Sequence, residues 1–189
     1  MPLRLQTVPG EEPLTLDEAK RHLRVTDSAD DATIDDLIVA ARTWAENFTG
    51  RVLITQTWDY FLDAFVDPIE LPRPPLQSVS SINYVDVDGV SQPLATTEYV
   101  VDTAAERGIV RLAYGKSYPG TRIQANAVTI RFVAGYGLRA AVPGPVRSAC
   151  LLLVGELYAR RETAIVGAPI VEVPVSAEYL LWPYRTLRF

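Results

Sequence analysis

Ile34, Leu37, Ile38, Ala41, Trp44, Ala45 and Phe48 recur at intervals of three and four residues. That spacing puts them all on one face of an α-helix for about four turns. A strand cannot use it, because strand side chains alternate with a period of two. Asp35 and Asp36 fall in the first turn, where the helix dipole favours negative charge. Gly50 is placed to close the helix.

On the N-terminal side a shorter helix precedes this one. Thr15-Leu16-Asp17-Glu18 reads as a capping box, in which the Thr hydroxyl and the Glu carboxylate satisfy free backbone N–H groups reciprocally. Leu16, Ala19 and Leu23 share a face, and the helix should end near Arg24. The Asp- and Ser-rich loop that follows offers Ser28 and Asp30 as caps for the long helix.

From Thr55 to about Gly137 the period shifts to two. Thr57–Phe65 alternates, with Trp58, Tyr60 and Leu62 on one face. Val79–Val87 reads as a strand, Asp88-Gly89 as a hairpin turn and Val90–Leu94 as the return. Tyr99–Val101 and Ile109–Leu112 are short β candidates. Val128, Ile130 and Phe132 alternate with Thr129, Arg131 and Val133. Pro68, Pro72, Pro74 and Pro75 favour extended segments and edges.

Pro143-Gly144-Pro145 opens a third helix, since proline is tolerated in a first turn. Its stripe is Val146, Ala149, Cys150, Leu153, Val154, Leu157 and Tyr158. Leu151 and Leu152 add apolar surface on other sides, as in a helix central to a core or at a subunit interface. An apolar, turn-rich stretch runs over residues 164–174. Ser176 is placed to cap a short helix, Ala177–Trp182, that Pro183 ends. The predicted fold is α+β. Residues 1–54 and 141–182 form a helical core of three main helices plus a short C-terminal one. Residues 55–140 form a β-rich insertion between the second and third helices. Residues 183–189 form an extended tail.

At 189 residues with 48% hydrophobic and 22% charged residues, the chain is long and apolar enough to fold without staples. A single cysteine excludes an internal disulfide. The first ten residues lack a signal-peptide pattern. The longest apolar run, Ala149–Val154, is far below the roughly 18 residues of a membrane span. The expectation is a cytoplasmic chain with no membrane partner. A net charge of −5 argues against a protein that grips nucleic acid phosphates. Only Lys20 and Lys116 are lysines, so positive charge is mostly arginine. That suits protein interfaces and is equally explained by a GC-rich genome.

Catalytic chemistry finds little support. His22 is the only histidine and has no evident partner. Cys150 sits in an apolar stripe, whereas reactive thiols need an electropositive, partly exposed setting. Asp86-Val87-Asp88-Gly89 resembles the start of a calcium loop, but Tyr84 and Ala95 stand where the first and last ligands belong. Gly135-Tyr136-Gly137 lacks the third glycine and the strand–helix context of a dinucleotide loop. Asp30, Asp31, Asp35, Asp36, Asp59, Asp63 and Asp67 lie where helix starts, loops and strand faces ordinarily collect Asp. No cofactor or metal site is predicted. The C-terminal segment is different: its aromatic residues and arginines are the types enriched at interface hot spots.

These elements together resemble the head–tail connector (adaptor) proteins of long-tailed bacteriophages and gene transfer agents. The resemblance is carried by Leu14–Lys20 with His22-Leu23-Arg24, then Ile34-Asp35-Asp36-Leu37-Ile38, Ala41-Arg42 and Trp44-Ala45-Glu46. It continues through Leu71-Pro72 and Pro74-Pro75-Leu76 into Val79–Tyr84. Val128–Tyr136, Val146–Glu162 and Glu178–Arg185 complete it. It covers the chain from about Leu14 to its end, through order and spacing rather than one motif. It implies a structural protein, not an enzyme, made in the host bacterium and placed at the particle neck. It also implies a ring of identical subunits, a dodecamer, under the portal protein. A stopper or other tail-side protein would lie beyond, and DNA would pass through the lumen without sequence-specific binding. Tyr179, Leu180, Trp182, Tyr184, Arg185, Leu187, Arg188 and Phe189 are the expected portal-docking residues. Two alternatives stay open: another neck or tail component, such as a stopper or tail terminator, and a small soluble enzyme or ligand-binding domain.

Overall fold

The structure, a computed structural model, describes residues 3–160 and 175–186. In chain order the elements are β1 (Leu3–Thr7), α1 (Leu16–Leu23), α2 (Asp31–Thr49), β2 (Gln56–Leu62), β3 (Ile69–Glu70) and β4 (Leu76–Val85). Then come β5 (Ser91–Pro93), β6 (Tyr99–Asp102), β7 (Ile109–Leu112), β8 (Val128–Ala134), α3 (Gly144–Ala159) and α4 (Val175–Leu181). The class is α+β, as the periodicities predict. Contacts divide the chain into two units. One takes the chain up to Pro9 with Thr55–Tyr136, the other Gly10–Ile54 with the chain from Gly137.

The β unit holds a five-stranded antiparallel sheet in the order β1-β2-β8-β4-β5 and a three-stranded sheet β3-β7-β6. Strand β8 is its centre. Val128, Ile130, Phe132 and Ala134 are wholly buried along it, the outcome of strict alternation in a strand paired on both sides. The Asp86–Gly89 segment is the expected hairpin turn. The Asp86 carboxylate accepts the N–H groups of Asp88 (3.1 Å) and Val90 (2.8 Å), and Gly89 takes φ +89°.

Two features of this unit depart from the sequence expectation. Leu3–Thr7, grouped there with the helical residues 1–54, is a strand that pairs with β2 through Leu3↔Tyr60 and Leu5↔Trp58. Four of its five residues are exposed, and its alternation is only two leucines long, Leu3 and Leu5 with Arg4 and Gln6 between and after them. In β2 the buried residues are Gln56 and Asp59, while Trp58, Tyr60 and Leu62 are half-buried. Asp59 stands opposite Arg131 of β8 and accepts two hydrogen bonds from its guanidinium, at 2.8 and 2.9 Å. A forked pair of this kind satisfies a buried carboxylate.

In the helical unit the capping box forms as predicted. Thr15 N–H donates to Glu18 (2.9 Å) and Glu18 N–H donates to Thr15 Oγ1 (3.0 Å). Helix α2 buries Ile34, Ile38, Ala41 and Ala45 and packs on α3, which in turn packs on α4. Asp30 stands at the N-cap of α2 as expected, but its side chain makes no capping bond; its carboxylate accepts the Tyr158 hydroxyl of α3 at 2.6 Å. Helix α3 buries Val146, Ala149, Cys150, Leu153 and Val154. Helix α4 begins earlier than expected, buries Ala177 and Leu181, and runs into a 3-10 turn at Trp182–Tyr184 that contains Pro183. The stretch 164–174 lies outside the described residues.

A buried polar network joins α2 to its surroundings. Glu46, only 7% exposed, accepts Leu53 N–H and an Arg42 N–H, each at 2.9 Å. Arg42 Nε donates in turn to Glu12 at 2.7 Å. The segments before and after the two N-terminal helices are thereby tied to one helix face.

Candidate functional site

The residues with the greatest chemical potential are absorbed by the fold. Cys150 is buried, and burial pushes its thiol up to about 12. That is far from a nucleophile's range. His22 is exposed on α1, beside Gly155 of α3. Asp59 pairs with Arg131. Asp63 accepts Asn126 N–H (2.8 Å) and Asp67 accepts Leu112 N–H (3.2 Å), so both hold loops. Among the described residues no group of three or more His, Cys, Asp and Glu is arranged to hold a metal ion. No helix among them is long and apolar enough to cross a membrane.

The helical unit carries an open cleft lined by Thr15, Asp17, Glu18, Arg139 and Arg147, among others. Its charges are largely committed. Arg139 pairs with Glu11 (3.1 Å) and donates to the Glu12 carbonyl (2.8 Å). Arg147 pairs with Glu18 and donates to the Pro13 carbonyl. The Thr15 N–H, and beside it the Arg147 guanidinium, hold the Glu18 carboxyl below the usual glutamate range. These contacts stitch the strap before α1 to the start of α3.

The C-terminal residues form a surface of another kind. Tyr179 and Trp182 are 75% and 59% exposed, large apolar side chains held out by α4 and the turn after it. Beneath Trp182 lies an aromatic ladder on α2. Trp44 stacks on Phe48 (centroids 4.9 Å apart, 14° between planes), and Phe48 meets Trp182 at 6.4 Å. Arg185 lies over both rings, 5.4 Å from Phe48 and 5.2 Å from Trp182. Leu180 and Tyr184 are half-buried.

The tail does not dangle where it is described. The Tyr184 carbonyl accepts Arg51 Nε at 2.6 Å, and Thr186 N–H donates to the Thr49 carbonyl at 2.8 Å. Of the expected docking residues, the structure brings Trp182 and Arg185 together and leaves Tyr179 exposed nearby on α4. Leu187, Arg188 and Phe189 lie outside the described residues. The sequence did not single out Thr49 or Arg51, nor Trp44 and Phe48 as a platform. The only signal was two aromatics four residues apart just before Gly50.

The connector resemblance implies a helical core with a β-rich insertion, and comparisons with known proteins bear on that resemblance directly. The model of the phage gp6-like head–tail connector protein family matches residues 13–88. Solved structures extend the likeness over the whole chain. A chain in "Neck of empty GTA particle computed with C6 symmetry" is 28% identical with TM-score 0.80, covering 100% of this chain and 97% of that one. A chain in "Virion of native gene transfer agent (GTA) particle" is 26% identical with TM-score 0.82 and the same coverage. A third, in "Neck of native GTA particle computed with C12 symmetry", is 26% identical with TM-score 0.70, covering 98% and 97%. A search of curated protein sequences finds no match.

Proposed function

We propose that this chain is a structural head–tail connector (adaptor) subunit, located at the neck of a phage or gene transfer agent particle. The observation that carries this is the full-length likeness to chains of gene transfer agent particles, two of them from neck structures. The connector family match to residues 13–88 supports it independently.

In this role identical subunits form a ring under the portal protein. The symmetry of the similar neck structures supports that, and twelve subunits fits the C12 case. A ring larger than a dimer requires two different complementary patches on each subunit. Tyr179, Leu180, Trp182, Tyr184 and Arg185, with Leu187, Arg188 and Phe189 after them, dock on the portal. Large exposed aromatics flanked by arginine are what a hot spot needs. A stopper or other tail-side protein binds the far end. The net charge of −5 suits a channel through which DNA slides.

The test is native mass spectrometry of the protein mixed with the portal protein encoded beside it. A complex with one copy per portal subunit is expected. Two proteins that remain separate under conditions preserving the portal ring would sink the proposal.

A further inference from the structure

Helix α2 ends in a fastening. The last carbonyls of a helix have no partner within it, and here the Thr49 carbonyl is taken twice by Thr186, through its N–H (2.8 Å) and its hydroxyl (3.0 Å). Two residues earlier the Tyr184 carbonyl accepts Arg51 Nε at 2.6 Å. Arg185, between these bonds, lies over Phe48 and Trp182. Gly50 makes the approach possible. It takes φ +72°, and a Cβ there would stand 2.4 Å from Thr186 Oγ1. So Thr49 and Gly50 meet Thr186, and Arg51 meets Tyr184, more than 130 positions away in sequence.

The fastened stretch buries little apolar surface. Trp182 stays 59% exposed, and Arg185 is exposed as well. A contact made for core stability would bury them. What the contacts do achieve is a fixed course for the backbone from Trp182 to Thr186. Ordering a segment before it binds removes part of the entropy cost of binding.

We propose that Thr49, Gly50 and Arg51 are positioning residues for portal docking: they latch Tyr184–Thr186 to the end of α2 and so present Tyr179, Trp182 and Arg185 in one rigid arrangement. This rests on the docking role proposed above for the C-terminal residues.

Two measurements on the full-length chain test it. Trypsin cleaves after Arg185 only if the Tyr184–Thr186 backbone can leave α2. Cleavage there, followed by mass spectrometry, should be slow in the wild type and roughly tenfold faster in Arg51→Met and Thr186→Val. Arg51→Lys, which keeps a donor and the charge, should be intermediate. Affinity for the portal ring should fall roughly tenfold or more in the same two variants, with helix content by circular dichroism unchanged. If Arg51→Met fails to fold, Thr186→Val, which exchanges one hydroxyl for a methyl, carries the test. Unchanged cleavage would overturn the latch. Faster cleavage with unchanged docking would reduce it to a helix cap, and tighter docking would make it an inhibitory contact; either overturns the positioning role. A wild-type chain that resists cleavage but binds no portal would leave the latch standing and remove the docking reading beneath it, and the proposal with it.

Discussion

Glu46 gives the sharpest quantitative prediction about the helical unit. Its carboxylate is 7% exposed and serves two donors, Leu53 N–H and Arg42, each at 2.9 Å. Glu46→Ala strips both at once. The Leu53 N–H, in a residue 1% exposed, loses its acceptor, which costs about 1–3 kcal/mol. Breaking a buried ion pair costs about 3–5 kcal/mol when the remaining charge is stranded. Here Arg42 keeps Glu12 at 2.7 Å, so only part of that applies. The sum is about 3–5 kcal/mol, a large share of the roughly 5–15 kcal/mol typical of a domain. Glu46→Gln keeps the shape and one acceptor but turns its NH2 toward a donor, so about 1–2 kcal/mol is expected. Urea unfolding followed by helical circular dichroism would read this. With a slope of about 2 kcal/mol per molar, Glu46→Ala should lower the midpoint by about 1.5–2.5 M, and Glu46→Gln by under about 1 M. A shift below about 0.3 M for Glu46→Ala, or equal losses for both variants, would refute the reasoning.

Further outcomes follow from the titrating groups. The folded-state pKa of Glu18 is lowered, first by the Thr15 N–H and then by Arg147. Its contribution is therefore complete above the unfolded value of about 4.3 and is lost as pH falls through the lower folded value. The stability gap between wild type and Glu18→Gln should be constant near neutrality and close below about pH 4; a gap independent of pH would contradict the assigned bonds. Cys150, held at about 12 by burial, should resist iodoacetamide at pH 8 in the folded chain and react fully in urea. Rapid labelling of the native protein would show that α3 is not packed as described.

Local rules made the helical unit legible. The Thr15–Glu18 box, the α2 stripe and Gly50 each depend on residues a few positions apart, and each is present. The alternation of β8 was legible for the same reason. What stayed hidden depends on partners far along the chain. Strand β1 exists because β2 lies beside it, not because its own residues demand a strand. Asp59 is buried because Arg131 stands opposite, seventy-two residues later. Asp30 is the N-cap residue its position suggested, but its carboxylate serves the Tyr158 hydroxyl instead of the helix end. In the C-terminal surface, Tyr179, Trp182 and Arg185 were legible from residue type alone. Their support by Phe48, Thr49 and Arg51 was not, because a cluster rich in aromatics and arginine does not state which helix end it rests on.

The connector role is tested most directly in the particle itself. An affinity tag on this protein, labelled with gold and viewed by electron microscopy of purified particles, should appear at one vertex of each head, at the junction with the tail. Label distributed over the capsid, along the tail shaft, or absent from assembled particles would contradict it.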